Sequence, residues 1–217
     1  INDSPITYKP ELGPSYSPVN YDGKFHGMVP LRNALGNSYN IPAVRTLAKI
    51  GLPTMINTAQ KMGINSWNDT SNYGLSLTLG GGELTMVEMA SVYGTLANQG
   101  REVEVSPILE VTDYLGNTIE DNRNKDTHQA VSEEVAFIIS DILSDNNARA
   151  GAFGTNSALN IPGSWVPVKT GTSNEKRDNW AIGYTKDFVV TVWVGNNNNA
   201  PMNQALTSGI TGATPIW

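Results

Sequence analysis

The residues best suited to chemistry are those of Lys169-Thr170-Gly171-Thr172. They end an apolar stretch that predicts a strand over 165–170. Successive strand side chains point to opposite faces, so the hydroxyls of Thr170 and Thr172, about 7 Å apart, could hold one carboxylate. Gly171 adds no side chain, so an extended peptide could lie against this strand edge, with the Lys169 ammonium at its rim. Alone, the motif could equally be a strand end and a turn.

A second candidate group is Ser38-Tyr39-Asn40, in the gap between two predicted helices. Here asparagine could orient a substrate amide while serine relays a proton. The alternative is structural: Asn40 caps the following helix beside Pro42, and Ser38 fills a turn.

Helices must hold the second group in place, and their ends are marked in the sequence. Pro30 and Pro42 lie near two predicted helix starts, and Asn40 is predicted as the N-cap of the second. Thr85 and Glu88 form a capping box, and Ser132 is predicted to cap a later helix. The predicted helices are 30–35, 41–50, 55–62, 86–98 and 131–144.

Strands dominate the second half of the chain, at 103–114, 118–120, 165–170, 178–184 and 188–194. The run 188–194 is almost wholly apolar, which predicts a central strand buried on both faces. Helices and strands do not alternate strictly, so we expect an α+β fold with an antiparallel sheet. The last three strands should be sequential neighbours, with the helix 131–144 packed on them.

Composition excludes several function classes. The chain has 217 residues, 39% of them apolar, and a net charge of −6, which argues against a nucleic-acid partner. It has no cysteine, which excludes disulfides, zinc–thiolate sites and thiol nucleophiles. Its only histidines, His26 and His128, lie in different loops, and we expect no metal and no cofactor.

Taken together, the motifs and their flanks resemble the transpeptidase domain of class A (bifunctional) penicillin-binding proteins. The resemblance runs from about Tyr16 to Pro215 in the order of the family. It is carried by the segments FHGMVPLRNALGNSYNIPAVRTLAKIG, YGLSLTLGGGELTMVEMASVYGTLANQG, ILSDNNARAGAFG and VPVKTGTSNEKRDNWAIGYTKDFVVTVWVGN.

This resemblance implies a D,D-transpeptidase that cross-links peptidoglycan stem peptides by serine acyl transfer and binds β-lactam antibiotics. It implies that Ser38 and Asn40 form the Ser-x-Asn pair and that Lys169 begins the Lys-Thr-Gly strand. Thr170, Gly171 and Thr172 would bind substrate, and the backbone N–H of Thr172 would form half of the oxyanion hole. The resemblance also implies that Ser38, Asn40, Lys169 and Thr172 line one cleft despite the 131 residues (169 − 38) between the motifs, with Lys169 near the Ser38 hydroxyl.

One motif of the family departs from the expected pattern. The nucleophile sequence Ser-x-x-Lys should precede Ser38, yet the sole match is Ser173-Asn174-Glu175-Lys176, in a polar loop after Lys169. We therefore expect residues 1–217 to be the C-terminal part of the domain. An upstream segment of the same protein would supply the nucleophile, a glycosyltransferase domain and an anchor at the extracytoplasmic face of a bacterial membrane.

Two other functions stay open from the sequence. A D,D-carboxypeptidase or a serine β-lactamase-like hydrolase would share the motif set, although no deacylating acid is identifiable. A non-catalytic peptidoglycan-binding module without the nucleophile would also retain these motifs.

Overall fold

A computed structural model describes residues 1–9, 14–123, 127–204 and 207–217. Its helices are α1 (Leu31–Gly36), α2 (Asn40–Ile50), α3 (Leu52–Lys61), α4 (Met86–Ala97), α5 (Glu133–Ser144) and α6 (Ala150–Phe153). Its strands are β1 (Asn2–Asp3), β2 (Gly27–Met28), β3 (Arg101–Val103), β4 (Glu110–Thr112), β5 (Thr118–Asp121), β6 (Thr127–Gln129), β7 (Val168–Thr172), β8 (Asp178–Tyr184) and β9 (Val189–Gly195). Short 3₁₀ turns cover Thr70–Asn72, Leu75–Leu79 and Asn174–Lys176, and a π-helical turn covers Gly209–Ala213.

Two predicted helix starts are confirmed by their hydrogen bonds. The Glu88 N–H donates to Thr85 Oγ1 at 3.1 Å and the Thr85 N–H to Glu88 Oε2 at 3.0 Å, which closes the capping box at α4. The Ser132 hydroxyl accepts from the Val135 N–H at the start of α5.

The largest sheet has the strand order β7-β8-β9, and both pairs are antiparallel. This confirms the predicted sequential antiparallel sheet and the α+β class. The prediction that 188–194 is a central strand is wrong. Among the described residues β9 pairs with β8 alone, and its side chains are half-buried. An apolar run indicates that side chains on both faces of a strand are at least partly covered. It does not show whether the strand has one hydrogen-bonded neighbour or two.

The single strand predicted over 103–114 is also wrong. The segment forms β3, which pairs with β6, and β4, which pairs with β5. Pro107 lies between them, and proline lacks the N–H that a continuous ladder needs.

Side-chain contacts of helices α1 and α5 link the Ser38 segment to the sheet that carries Lys169. The guanidinium of Arg32 on α1 binds Asp145 at 3.0 Å and Asp141 at the C-terminal half of α5. Helix α5 packs on the sheet, where the Ser140 hydroxyl lies 2.7 Å from Tyr184 Oη in the buried interior. The helix therefore joins the segment before Ser38 to the strand that neighbours β7.

A substitution of Tyr184 tests this joint. Tyr184→Phe removes the buried hydroxyl from its bond to Ser140, and we expect a loss of about 1 kcal/mol in the free energy of unfolding. Urea denaturation measures this loss. Tyr114→Phe is the matched control, because the Tyr114 side chain is 94% exposed and its change should stay within about 0.5 kcal/mol. Equal effects of the two variants would contradict the assigned joint.

Candidate active site

The central contact joins the two motifs that sequence analysis singled out. Lys169 Nζ donates to Ser38 Oγ at 2.8 Å, across a separation of 131 residues. The same ammonium donates to the carbonyl of Thr170 at 2.8 Å. The predicted proximity of Lys169 to the Ser38 hydroxyl is therefore confirmed, and an amine and a hydroxyl stand in line for proton transfer.

Ser38 reaches Lys169 from an uncommon backbone conformation. Its φ is +59°, in the left-handed region that residues with a Cβ rarely adopt. Two hydrogen bonds close the end of α1 around it: the Ser38 N–H to Leu35 O at 3.1 Å and the Tyr39 N–H to Ala34 O at 3.0 Å. Such strain persists only where the surrounding structure holds it.

Asn37 provides part of this hold, and sequence analysis missed it. Its buried side chain donates to Ala148 O at 2.8 Å and accepts from the Ala152 N–H at 2.8 Å. A Cβ on the neighbouring Gly36 would lie 2.9 Å from the Ala148 carbonyl, so only glycine permits this approach. These bonds fix the loop before Ser38 onto the segment after α5. The interruption of the helical pattern at 36–40 was the only sequence signal.

The predicted N-cap role of Asn40 is wrong. Asn40 is the first residue of α2, and the cap position belongs to Tyr39, whose side chain makes no capping bond. The cap comes instead from Asn20, whose Oδ1 accepts from the N–H groups of Asn40 at 2.9 Å and Ile41 at 3.2 Å. The Asn40 side chain donates to Val19 O at 2.8 Å. A cap supplied by a residue twenty positions away has no local sequence signal.

The edge of β7 is the second part of the site. β7 is one of the two outer strands of its sheet among the described residues. The Ser173 N–H donates to Asp178 O and the Tyr184 N–H to Pro167 O. Antiparallel pairs alternate, so the N–H and C=O groups of Thr170 and Thr172 point to the open edge. The bond from Lys169 Nζ to the Thr170 carbonyl agrees with this register.

The threonine side chains lie on the face of β7 opposite that of Lys169, since strand side chains alternate. The Thr172 hydroxyl accepts from the Gly209 N–H at 2.9 Å and retains its own proton to donate. A Cβ on Gly209 would lie 2.7 Å from Gly171 O, so the C-terminal π-helical turn approaches the motif closely. Sequence analysis gave no role to this turn.

Partial burial lowers the pKa of the Lys169 amine. Desolvation lowers the pKa of Lys169 from 10.5 to about 8. An amine with a pKa this close to neutral exchanges protons readily at physiological pH, which suits general acid–base work.

Ser173, the first residue of the sole Ser-x-x-Lys string, forms hydrogen bonds outside the Lys169–Ser38 contact. The Ser173 hydroxyl donates to Asp178 Oδ2 at 2.7 Å and accepts from the Asp178 N–H at 2.9 Å. Lys176 Nζ donates to the carbonyl of Gln204. The Ser173-to-Lys176 string therefore forms a loop anchor, together with the bond from Trp193 Nε1 to Asp178 at 3.0 Å. Within the described ranges, no group of three or more His, Asp or Glu side chains is placed to hold a metal.

Comparison with known proteins finds one family along the chain. The model of the penicillin binding protein transpeptidase domain matches residues 1–214. Penicillin-binding protein 1B of Vibrio cholerae is 32% identical over 211 residues, covering 96% of this chain and 26% of the relative. The Haemophilus influenzae protein of the same name is 32% identical over 221 residues, covering 100% of this chain and 27% of the relative. The chain thus spans about a quarter of these curated relatives.

Solved structures agree on the fold. Penicillin-Binding Protein 1A from Haemophilus influenzae superposes with a TM-score of 0.85 at 25% identity, covering 100% of this chain and 37% of that one. PonA1 from Mycobacterium tuberculosis, solved in complex with penicillin V, superposes with a TM-score of 0.82 at 23% identity, covering 100% and 60%.

The lowered pKa of Lys169 gives a direct prediction. NMR titration of lysine labelled with ¹³C at Cε should show one resonance with a midpoint near pH 8 that is missing in Lys169→Arg. The native pKa lies below the unfolded one, so between these values the unfolded chain binds more protons, and the contribution of Lys169 to stability rises with pH. A midpoint near the ordinary lysine value would contradict the desolvation of the amine.

Proposed function

Because the chain belongs to the penicillin-binding protein transpeptidase domain family, we propose that it forms part of a class A peptidoglycan D,D-transpeptidase. The observation that carries this proposal is the 2.8 Å hydrogen bond between Lys169 Nζ and Ser38 Oγ. It joins a proton-exchanging amine to a hydroxyl beside an open strand edge, which is what acyl transfer on a peptide requires. The substrate class would be stem peptides that end in D-Ala-D-Ala.

In the first half-reaction, a serine hydroxyl attacks the carbonyl carbon of the penultimate D-Ala. The C–N bond breaks, and the terminal D-Ala leaves as an amine that takes up the proton given by the serine. Ser38 and Lys169 carry that proton between the nucleophile and the leaving nitrogen. In the second half-reaction, an acceptor amine attacks the acyl-enzyme and loses a proton, and the serine regains its own. A β-lactam reacts in the same first step, but its leaving amine stays tethered in the opened ring.

The edge of β7 would hold the substrate. An extended peptide can add to an open strand edge through main-chain hydrogen bonds. The Thr170 carbonyl and the Thr172 N–H point to that edge, and the Thr172 N–H would stabilise the oxyanion. The hydroxyls of Thr170 and Thr172 would hold the substrate carboxylate. With its Nδ2 bound to Val19 O, Asn40 would use Oδ1 to orient a substrate N–H.

We also propose that the acylated serine comes from a Ser-x-x-Lys segment outside residues 1–217. The sole string of this kind in the chain, 173–176, is bound to Asp178 and to the Gln204 carbonyl. Residues 1–217 would then be the C-terminal part of the domain, and a glycosyltransferase domain and a membrane anchor would belong to other parts of the protein. Within the described parts of the chain, no helix is both long and apolar enough to cross a bilayer.

The site would then act at the extracytoplasmic face of a bacterial membrane, where peptidoglycan is assembled. β-Lactam antibiotics would be partners in addition to stem peptides. The complex of PonA1 with penicillin V supports this for a protein of the same fold.

A fluorescent penicillin tests the role of Lys169 in the protein that carries this chain together with the Ser-x-x-Lys segment. We expect Lys169→Ala to slow acylation by about 10²-fold or more, the usual effect of removing a proton-transfer group. Denaturing gels and intact mass follow the adduct. Lys186→Ala is the control, because Lys186 is 87% exposed in the turn between β8 and β9 and should acylate as the wild type does. Unchanged acylation of Lys169→Ala would refute the role of this strand.

Thr172→Val tests carboxylate recognition separately. The backbone N–H stays in place, so we expect a higher apparent dissociation constant for the penicillin with little change in the acylation rate constant at saturation. Stopped-flow measurement over a range of penicillin concentrations separates the two. A loss confined to the rate constant would contradict the assignment of the hydroxyl to substrate binding.

The isolated chain provides a third test. Residues 1–217 alone should form no covalent penicilloyl adduct, and adding the Ser-x-x-Lys segment, fused or as a second chain, should restore labelling. An adduct mapped to Ser173 or Ser38 would show that the nucleophile lies within this chain.

A further inference from the structure

A buried polar cluster lies behind the Ser38 loop and takes no part in the chemistry proposed above. Its centre is Asp3, which is fully buried. The Asp3 carboxylate accepts from Asn20 Nδ2 at 2.8 and 2.9 Å, from the His26 backbone N–H at 3.1 Å and from His26 Nδ1 at 2.6 Å. A buried carboxylate with this many donors is costly to disturb, so it fixes both Asn20 and His26.

Asn20 connects the Asp3 cluster to the segment that follows Ser38. While its Nδ2 is held by Asp3 and by the Lys24 carbonyl, its Oδ1 accepts from the N–H groups of Asn40 and Ile41. Those N–H groups are the first two of α2, which have no partner within the helix. The start of α2 is therefore set by the cluster.

His26 connects the same cluster to Tyr39, the residue between Ser38 and Asn40. Its ring stacks on the Tyr39 ring with centroids 4.0 Å apart and planes 11° apart. Nδ1 lies 2.6 Å from Asp3 and Nε2 lies 3.1 Å from Asp22, so carboxylates fix the imidazole at both ends. The Tyr39 ring therefore stacks on an imidazole whose rotation is restricted by two carboxylates.

We propose that His26, anchored by Asp3, is a positioning residue for Ser38 and acts through the stacked Tyr39 ring. Ser38 holds a left-handed backbone conformation with φ of +59°, and this places its hydroxyl 2.8 Å from Lys169 Nζ. The hydrogen bonds of Asn37 to Ala148 and Ala152 fix the residue before Ser38, and the stack on His26 fixes Tyr39, the residue after it. Without the stack, the loop relaxes and the hydroxyl leaves its line with the amine. The inference rests on the proposed acyl transfer, because it concerns the rate of that reaction.

A double-mutant cycle tests the pathway from His26 through Tyr39. The variants are His26→Ala, Tyr39→Leu and their combination, in the protein that also carries the Ser-x-x-Lys segment. Fluorescent penicillin gives the acylation rate constant at saturation and the final labelled fraction, and thermal unfolding gives the melting temperature. Each single variant should slow acylation by about tenfold, since small displacements of reacting groups cost rate steeply. The combination should be no slower than either, because both remove one interaction.

Two further variants act as controls. His26→Phe retains a flat ring for the stack but loses the ring bonds to Asp3 and Asp22, so its acylation rate should lie between those of His26→Ala and the wild type. His128→Ala removes the other histidine, which is half-exposed and bound to the Lys61 carbonyl, and should acylate at the wild-type rate. If His26→Ala does not fold, Tyr39→Leu decides alone, because it removes the stack and leaves Asp3 and His26 in place.

The outcomes separate this inference from the proposed function. A wild-type rate constant in His26→Ala or Tyr39→Leu, with only a lower labelled fraction or melting temperature, would show a purely structural role and overturn the inference alone. Additive losses in the combination would overturn the pathway through Tyr39. Absence of labelling in the wild-type protein would overturn the proposed function, and this inference with it.

Discussion

The site depends on the hydrogen bond between the half-buried Lys169 ammonium and the Ser38 hydroxyl. Removing a lysine amine from water is unfavourable, and here the cost appears as a pKa lowered to about 8. Lys169 is stabilised in this position by the Ser38 hydroxyl and the Thr170 carbonyl. Both partners lie within hydrogen-bond distance of the amine, so this contact links the helical segment that carries Ser38 to the strand that carries Lys169.

The second constraint is the backbone of Ser38. A left-handed residue with a Cβ costs about 1–2 kcal/mol, and its neighbours make up for that cost. Asn37 binds the segment after α5, and Asn20 caps α2 from a distance. Polar residues of the kind that sequence patterns assign to turns therefore set the direction of the Ser38 hydroxyl. This agrees with the general tendency of strain to collect at functional sites.

The sheet contributes an edge as well as a lysine. In β7 the pairing register with β8 directs the Thr170 carbonyl and the Thr172 N–H to the open side. The residue types alone would allow either register, and a shift by one residue would direct these groups into the sheet. The close approach of Gly209 then holds the Thr172 hydroxyl from the opposite face.

The sequence by itself determined the α+β class, the capped helices at Thr85 and Ser132, the antiparallel order of the last three strands and the pairing of Ser38 with Lys169. The fold class, the caps and the strand order follow from local sequence patterns. The proximity of Ser38 and Lys169 follows from the resemblance of the motifs to those of a known family. Tertiary structure alone decided that β9 is an outer strand among the described residues, that Asn20 rather than Asn40 caps α2, and that Asp3 and His26 stand behind the Ser38 loop. Each of these depends on contacts between residues far apart in sequence, and periodicity and capping rules describe only neighbours along the chain.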